Sequence, residues 1–130
     1  MATLEDNHTL HHVDVHVSDL AATKRLFSAL APGLGYELRS EYDEFISYWR
    51  TGRQRPVVGF LRDTEHGSAT MRLAFDVAAI EDVDRLAEVA LRNGATAIEG
   101  PGFHPEYGDD YYAVFFEDMD GNRYEICREE

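Results

Sequence analysis

One cysteine is all that this 130-residue chain contains. Cys127 therefore has no internal disulfide partner, which suits a reducing compartment and leaves ordinary core packing to hold the fold. Positive charge is also scarce. Twelve Lys and Arg stand against 25 Asp and Glu, a net charge of −13, and such a surface repels phosphate backbones and anionic lipid, so neither nucleic acid nor a membrane is an expected partner. No apolar run approaches the ~20 residues of a membrane-spanning helix. The opening "MATLEDNHTL" has neither the basic nor the apolar region of a secretory leader, so a cytoplasmic location is expected. Phosphate-binding glycine loops and a G-x-S-x-G elbow are likewise missing, which gives nucleotide binding and serine-hydrolase chemistry no support.

What the chain does contain is one unit written twice. "HVDVHVSDLAATKRLFSALAPGLGYEL" from His12 lies above "RLAFDVAAIEDVDRLAEVALRNGATAI" from Arg72. Val13, Val15 and Val17 then face Leu73, Phe75 and Val77, and Leu20 and Leu26 face Ile80 and Leu86. Each copy opens on strict apolar–polar alternation, the pattern of a strand with one face on a core. An amphipathic helix follows. Asp19 is the expected N-cap of the first, with Leu20, Phe27 and Leu30 as its stripe. Ile80, Val83, Ala87 and Ala90 form the second stripe, ended by Asn93-Gly94.

Three further strand-like runs complete each copy: "YELRSEY", "EFISYWR" and "PVVGFLR", then "ATAIE", "YYAVFF" and "RYEIC". The predicted order is βαβββ, twice, in a single α+β domain. Module one covers about 8–65 and module two about 68–130, with the polar "RDTEHGS" between them. The longest expected loop is "GPGFHPEYGDD", residues 100–110. Near the end, Asp118-Met119-Asp120-Gly121-Asn122 reads as a tight turn between two strands.

Two tandem βαβββ modules of this length resemble the vicinal oxygen chelate superfamily, which includes glyoxalase I, extradiol dioxygenases, fosfomycin-resistance enzymes and bleomycin-binding proteins. The resemblance rests on "HHVDVHVSDL", "RLAFDV" and "FEDMDGNRYEI", although the family more usually has proline where Met119 stands. It implies two half-barrel sheets around a cavity, a homodimer, and in the metal-dependent members a divalent ion (Ni, Mn, Fe or Zn) held by a histidine from each module's first strand and a glutamate from the last. Carried over by position, His12 and Glu125 fill two of the three ligand places. Arg72 fills the third, and a guanidinium has no lone pair to offer a cation.

Arg72 has three readings: an ion pair with Glu125 or Asp14, a grip on an acidic group of a ligand, or a substrate contact beside a metal site rebuilt with Asp14. His12 and His16 lie four strand positions apart, about 13 Å, too far to share one ion. The loop brings His104 as a contact or proton carrier, with Tyr107, Tyr111 and Tyr112 as aromatic contacts. Trp49, with Tyr48 and Phe45, is expected to line a cavity or a dimer seam. Cys127 is expected beside Glu125 as a passive thiol.

Two functions compete on these residues. The first is binding of a small, partly aromatic molecule without a metal, as in sequestration of an antibiotic or metabolite, with Arg72, Asp14, Trp49, His104, Tyr107 and Tyr112 as ligand contacts. The second is a metal-dependent lyase, isomerase or dioxygenase on His12 and Glu125, with Glu125 and His104 as catalytic groups.

Overall fold

In the computed structural model, which describes residues 11–52, 56–65 and 71–129, the repeat read from sequence is a repeat in space. Module one runs β1 (Val13–Val17), α1 (Leu20–Leu34), β2 (Tyr36–Tyr42), β3 (Phe45–Arg50) and β4 (Pro56–Arg62). Module two runs β5 (Arg72–Asp76), α2 (Ile80–Arg92), β6 (Thr96–Phe103), β7 (Tyr112–Glu117) and β8 (Arg123–Arg128). Each module forms a four-stranded mixed sheet, β1-β4-β3-β2 and β5-β8-β7-β6. The first strand pairs parallel with the last, and the other pairings are antiparallel.

Local chemistry explains the elements. Asp19 sits in extended backbone and accepts from the Ala22 amide, capping α1 as its position predicts. Gly35 ends that helix at φ 77, a left-handed conformation that favours glycine. Helix α2 has no side-chain cap, but Glu81 and Asp82 in its first turn oppose the positive end of its dipole. The two helices touch closely at Gly33, where an added Cβ would come 2.5 Å from Leu86 Cδ2.

A single core joins the modules on their helix sides. Phe27 of α1 packs on Phe60 of its own sheet (ring centroids 4.6 Å apart) and on Tyr124 of the other (5.1 Å). Alternation decides what enters this core. Val17, Ile46, Tyr48, Val58, Phe60, Phe75, Val114, Phe116, Tyr124 and Ile126 all turn toward the helices. The intervening residues face away, on sheet surfaces that no helix among the described residues covers.

One expected boundary moves. The irregular segment 100–110 is shorter than its prolines and glycines suggest, because β6 continues through Gly100-Pro101 to Phe103. Register shifts around Glu99 absorb the proline, which has no N–H to donate, and pairing resumes at Gly102 opposite Ala113. The connection between modules is described only to Glu65. The linker's first residue, Arg62, belongs to β4, while its far end and the expected start of module two near 68 lie outside the described residues, as do residues 8 and 130.

Candidate functional site

The turn 118–122 is built around one carboxylate. Asp118, 5% exposed, accepts from the Asp120 and Asn122 amides (2.9 and 3.0 Å), from Asn122 Nδ2 (2.9 Å) and from the Tyr124 hydroxyl (2.8 Å). Gly121 takes φ 80 in this turn, and its amide donates to the Asp118 carbonyl. The same turn pins the modules together, since Asn122 Nδ2 donates to the His16 carbonyl and the Ser18 amide donates to Asp120. Such a rigid turn fixes the strand that follows it, and two residues into β8 stands Glu125.

Glu125 is 6% exposed on the face away from the helices. Its strand neighbours there are Ala74 on β5 and Phe115 on β7. The Tyr111 hydroxyl donates to the Glu125 carboxylate, and the Cys127 thiol is hydrogen-bonded to the same phenol. Loss of water around Tyr111, then its bonds to Glu125 and Cys127, push the phenol well above the usual tyrosine range, so it stays a neutral donor. Burial pushes the Cys127 thiol up, against a downward pull from Tyr111, which fits an unreactive thiol.

An aromatic wall adjoins this group. Arg72 lays its guanidinium carbon 4.6 Å from the centre of the Phe115 ring. His104 meets Phe115 edge-on at 5.0 Å, stacks with Tyr107 at 5.8 Å, and reaches Glu106 at 3.3 Å. Tyr107 in turn meets Tyr111 edge-on at 5.4 Å. The connection 104–111 is closed by the His104 amide donating to the Tyr111 carbonyl.

The residues expected from sequence thus divide. Glu125, Arg72, His104 and Tyr107 come together on module two. Asp14, Trp49 and His12 belong to module one. Asp14 lies across Gly59 beside Phe45, Trp49 carries Arg39 over its ring at 4.5 Å, and His12 pairs with Asp14 at 3.5 Å. Two expected aromatics turn the other way. Tyr112 donates to Asp84 of α2 (2.6 Å), and Tyr48 is buried against Ser28 of α1. Alternation is the reason: in "YYAVFF", Tyr112 shares the core face with Val114 and Phe116, while Tyr111 shares the open face with Ala113 and Phe115. That same alternation is the signal that finds Tyr111 and Phe115, which sequence reasoning had not placed with Glu125. His16 bonds Asp63 at 3.0 Å and belongs to the seam.

Arg72 forms no ion pair among the described residues, with Glu125, Asp14 or any other carboxylate. The residues of one chain also do not fit the three-ligand metal site that the fold family implies. Among the described residues no group of three or more His, Cys, Asp or Glu gathers where it could hold an ion. A guanidinium takes the middle place, and His12 is engaged on the other module. Between the modules, a cleft of about 190 Å³ runs past Asp14, His16, Leu73 and Arg123. No helix among the described residues is long and apolar enough to cross a membrane.

Comparison with known proteins places this geometry. Residues 9–126 match the model of the Glyoxalase/Bleomycin resistance protein/Dioxygenase superfamily. An uncharacterized protein of Bacillus subtilis (strain 168), YqjT, is 29% identical over 124 residues, spanning 90% of this chain and 96% of its own. A glyoxalase/bleomycin resistance protein from Albidiferax ferrireducens T118 superposes with a TM-score of 0.77 at 24% identity, over 95% of this chain and all of the other. The fosfomycin resistance protein FosX of Listeria monocytogenes, solved with Mn(II) and sulfate, superposes with a TM-score of 0.70 at 16% identity, covering 93% and 90%.

Proposed function

The chain belongs to the glyoxalase/bleomycin resistance protein/dioxygenase superfamily, and on that premise we propose that it binds a small, partly aromatic acid without a metal, as a sequestering protein does. One observation carries this reading: Arg72 holds its guanidinium over the Phe115 ring with no carboxylate partner among the described residues. Five N–H donors in a fixed fork match a carboxylate or phosphonate. Phe115, Tyr107 and His104 offer the apolar and π surfaces for an aromatic body. The net charge of −13 opposes an anion at long range, but that field is screened within about 8 Å at physiological salt, and a direct fork contact acts inside that distance.

The cavity in this reading is completed by a second copy of the chain. Helices cover one face of each sheet, and the expected ligand contacts other than Tyr112 lie away from the helices on both modules. A homodimer that lays the module-one face, with Asp14 and Trp49, over the module-two face would bring them into one enclosure. Sedimentation analysis should then give a dimer.

Titration with phenylphosphonate, followed by calorimetry and by ¹⁵N-resolved spectra, tests the reading. Wild type should bind it with Arg72-adjacent shifts, and Arg72→Ala should bind on the order of tenfold or more weakly, the loss expected for a charge-assisted pair. Equal affinity in the two proteins would sink the proposal. Elemental analysis after incubation with Ni²⁺, Mn²⁺, Fe²⁺ and Zn²⁺ decides the rest. Stoichiometric metal that disappears in Glu125→Gln would instead favour the metal-dependent lyase, isomerase or dioxygenase.

A further inference from the structure

A buried carboxylate needs partners, and a free binding site needs them to be exchangeable. At Glu125 one partner stands out. Tyr111 closes the 104–111 connection and directs its hydroxyl onto the carboxylate. The segment that carries it lies on the sheet by one ring contact, His104 on Phe115, and by close approach at its far side, where an added Cβ on Gly108 would come 2.4 Å from Glu129 Oε2. Most residues of the segment are exposed. Tyr107 is 59% exposed, so lifting the segment breaks few packing interactions. Glu125 itself rests on β8 in the middle of the sheet, between β5 and β7, and cannot follow.

We propose that Tyr111 is a competitive gate on Glu125: a ligand gains that carboxylate only by displacing the phenol with a donor of its own, so Glu125 favours molecules that carry an ammonium or hydroxyl donor beside their acidic group and Tyr111 tempers that preference. This rests on the reading of Arg72 as the acid grip and adds the second half of the ligand. The selection follows from the chemistry of the pair. An ionised carboxylate only accepts hydrogen bonds. While Tyr111 is in place that need is met, and a ligand without a donor that lifts Tyr111 leaves the carboxylate unpaired and gains nothing in return. A ligand with a donor replaces one charge-assisted bond by another and keeps the site satisfied. Arg72 and Glu125 share one face of one sheet, on strands β5 and β8 that pair in parallel, with Phe115 adjoining both. An aromatic amino acid or hydroxy acid is the class that uses all three.

The experiment compares phenylalanine with 3-phenylpropionate, which share the carboxylate and the ring and differ in the ammonium. Both are titrated into wild type, Tyr111→Phe, Glu125→Gln and the double variant, each checked for a native circular-dichroism spectrum and a cooperative thermal transition. Tyr111→Phe removes only the hydroxyl. It should raise the preference for phenylalanine over 3-phenylpropionate by about tenfold, because the ammonium no longer competes with a donor. Glu125→Gln should abolish that preference with either residue at 111. A merely structural role for Tyr111 would change both acids alike and leave the ratio fixed. An unchanged ratio in Tyr111→Phe overturns the gate, and so does the absence of phenylalanine binding in that variant, where Glu125 is uncapped. Phenylphosphonate and Arg72→Ala report on the acid grip separately, so either half can fail alone.

Discussion

The open faces of the two modules solve one packing problem with opposite assignments. At the centre of module one, Asp14 on the first strand lies opposite Gly59 on the last, with Ser47 beyond it. At the same place in module two, Ala74 on the first strand lies opposite Glu125 on the last, with Phe115 beyond it. Each module carries one acid and one small residue across that pair, in reversed order. An added Cβ at Gly59 would stand 2.4 Å from Asp14 Oδ1 and 2.7 Å from Phe45 Cε1, so the glycine is the space into which its neighbours lean. In module two the acid sits on the inner strand, buried and capped by Tyr111. In module one it sits on the edge strand, exposed, with His12 at 3.5 Å. The difference places a buried, directed carboxylate on one module only, and it does so by exchanging positions without changing the fold.

The largest effect is expected where module two fixes that strand. Asp118→Ala would leave the Asp120 and Asn122 amides, the Asn122 side chain and the Tyr124 hydroxyl without their shared acceptor. The cost should be about 3–5 kcal/mol, the scale of a broken buried network. Urea denaturation measures it. A loss below about 1 kcal/mol, the range of a surface site, would show that the turn does not anchor β8.

A direct attack on the comparison comes next. Gly59→Glu gives module one the acid of module two, but into space held by Asp14 and Phe45. It should cost about 2–3 kcal/mol by overpacking, and Asp14→Ala in the same chain should return about 1 kcal/mol of that, with Asp14→Ala alone near neutral. Additive effects in this double-mutant cycle would mean that the exchange across the pair is coincidental.

The smallest effect concerns alkaline pH. Burial first, then the nearby Asp118 charge and the bond to it, hold the Tyr124 phenol well above the ordinary tyrosine range. The neutral form is therefore favoured in the folded chain. This contribution to stability is complete below the unfolded value of about 10 and is lost as pH rises beyond it. Tyr124→Phe should cost about 1 kcal/mol at pH 7 and flatten the decline in thermal midpoint above pH 10. A decline as steep as that of wild type would assign the alkaline loss to the other raised tyrosines, Tyr36, Tyr48, Tyr111 and Tyr112.

Much of the fold was legible because its signals are local. Alternation in "HVDVHV" and "RLAFDV", the Asp19 cap and the Asp118–Asn122 turn each depend on a few adjacent residues, and each forms as read. The extent of β6 was less legible. Proline and glycine at 100–102 mark a loop in isolation, yet pairing with β7 carries the strand past them. Of the site, Glu125 and Arg72 were found by the family resemblance, as the residues at two of its three ligand places. Their partners were not, since neither periodicity nor spacing says that Arg72 rests on Phe115 or that Tyr111 reaches Glu125.

The sequence by itself determined the two βαβββ modules, the core face of each module's first strand and the turn that precedes Glu125, because backbone periodicity and turn chemistry act over a few residues. Only the tertiary structure decided which polar groups meet. Tyr111 and Glu125 are brought together by the antiparallel register of β7 and β8, and Arg72 and Phe115 by the way β8 bridges β5 and β7. A contact of that kind depends on register and sheet curvature across segments far apart in the chain, and those are fixed only when the whole core packs.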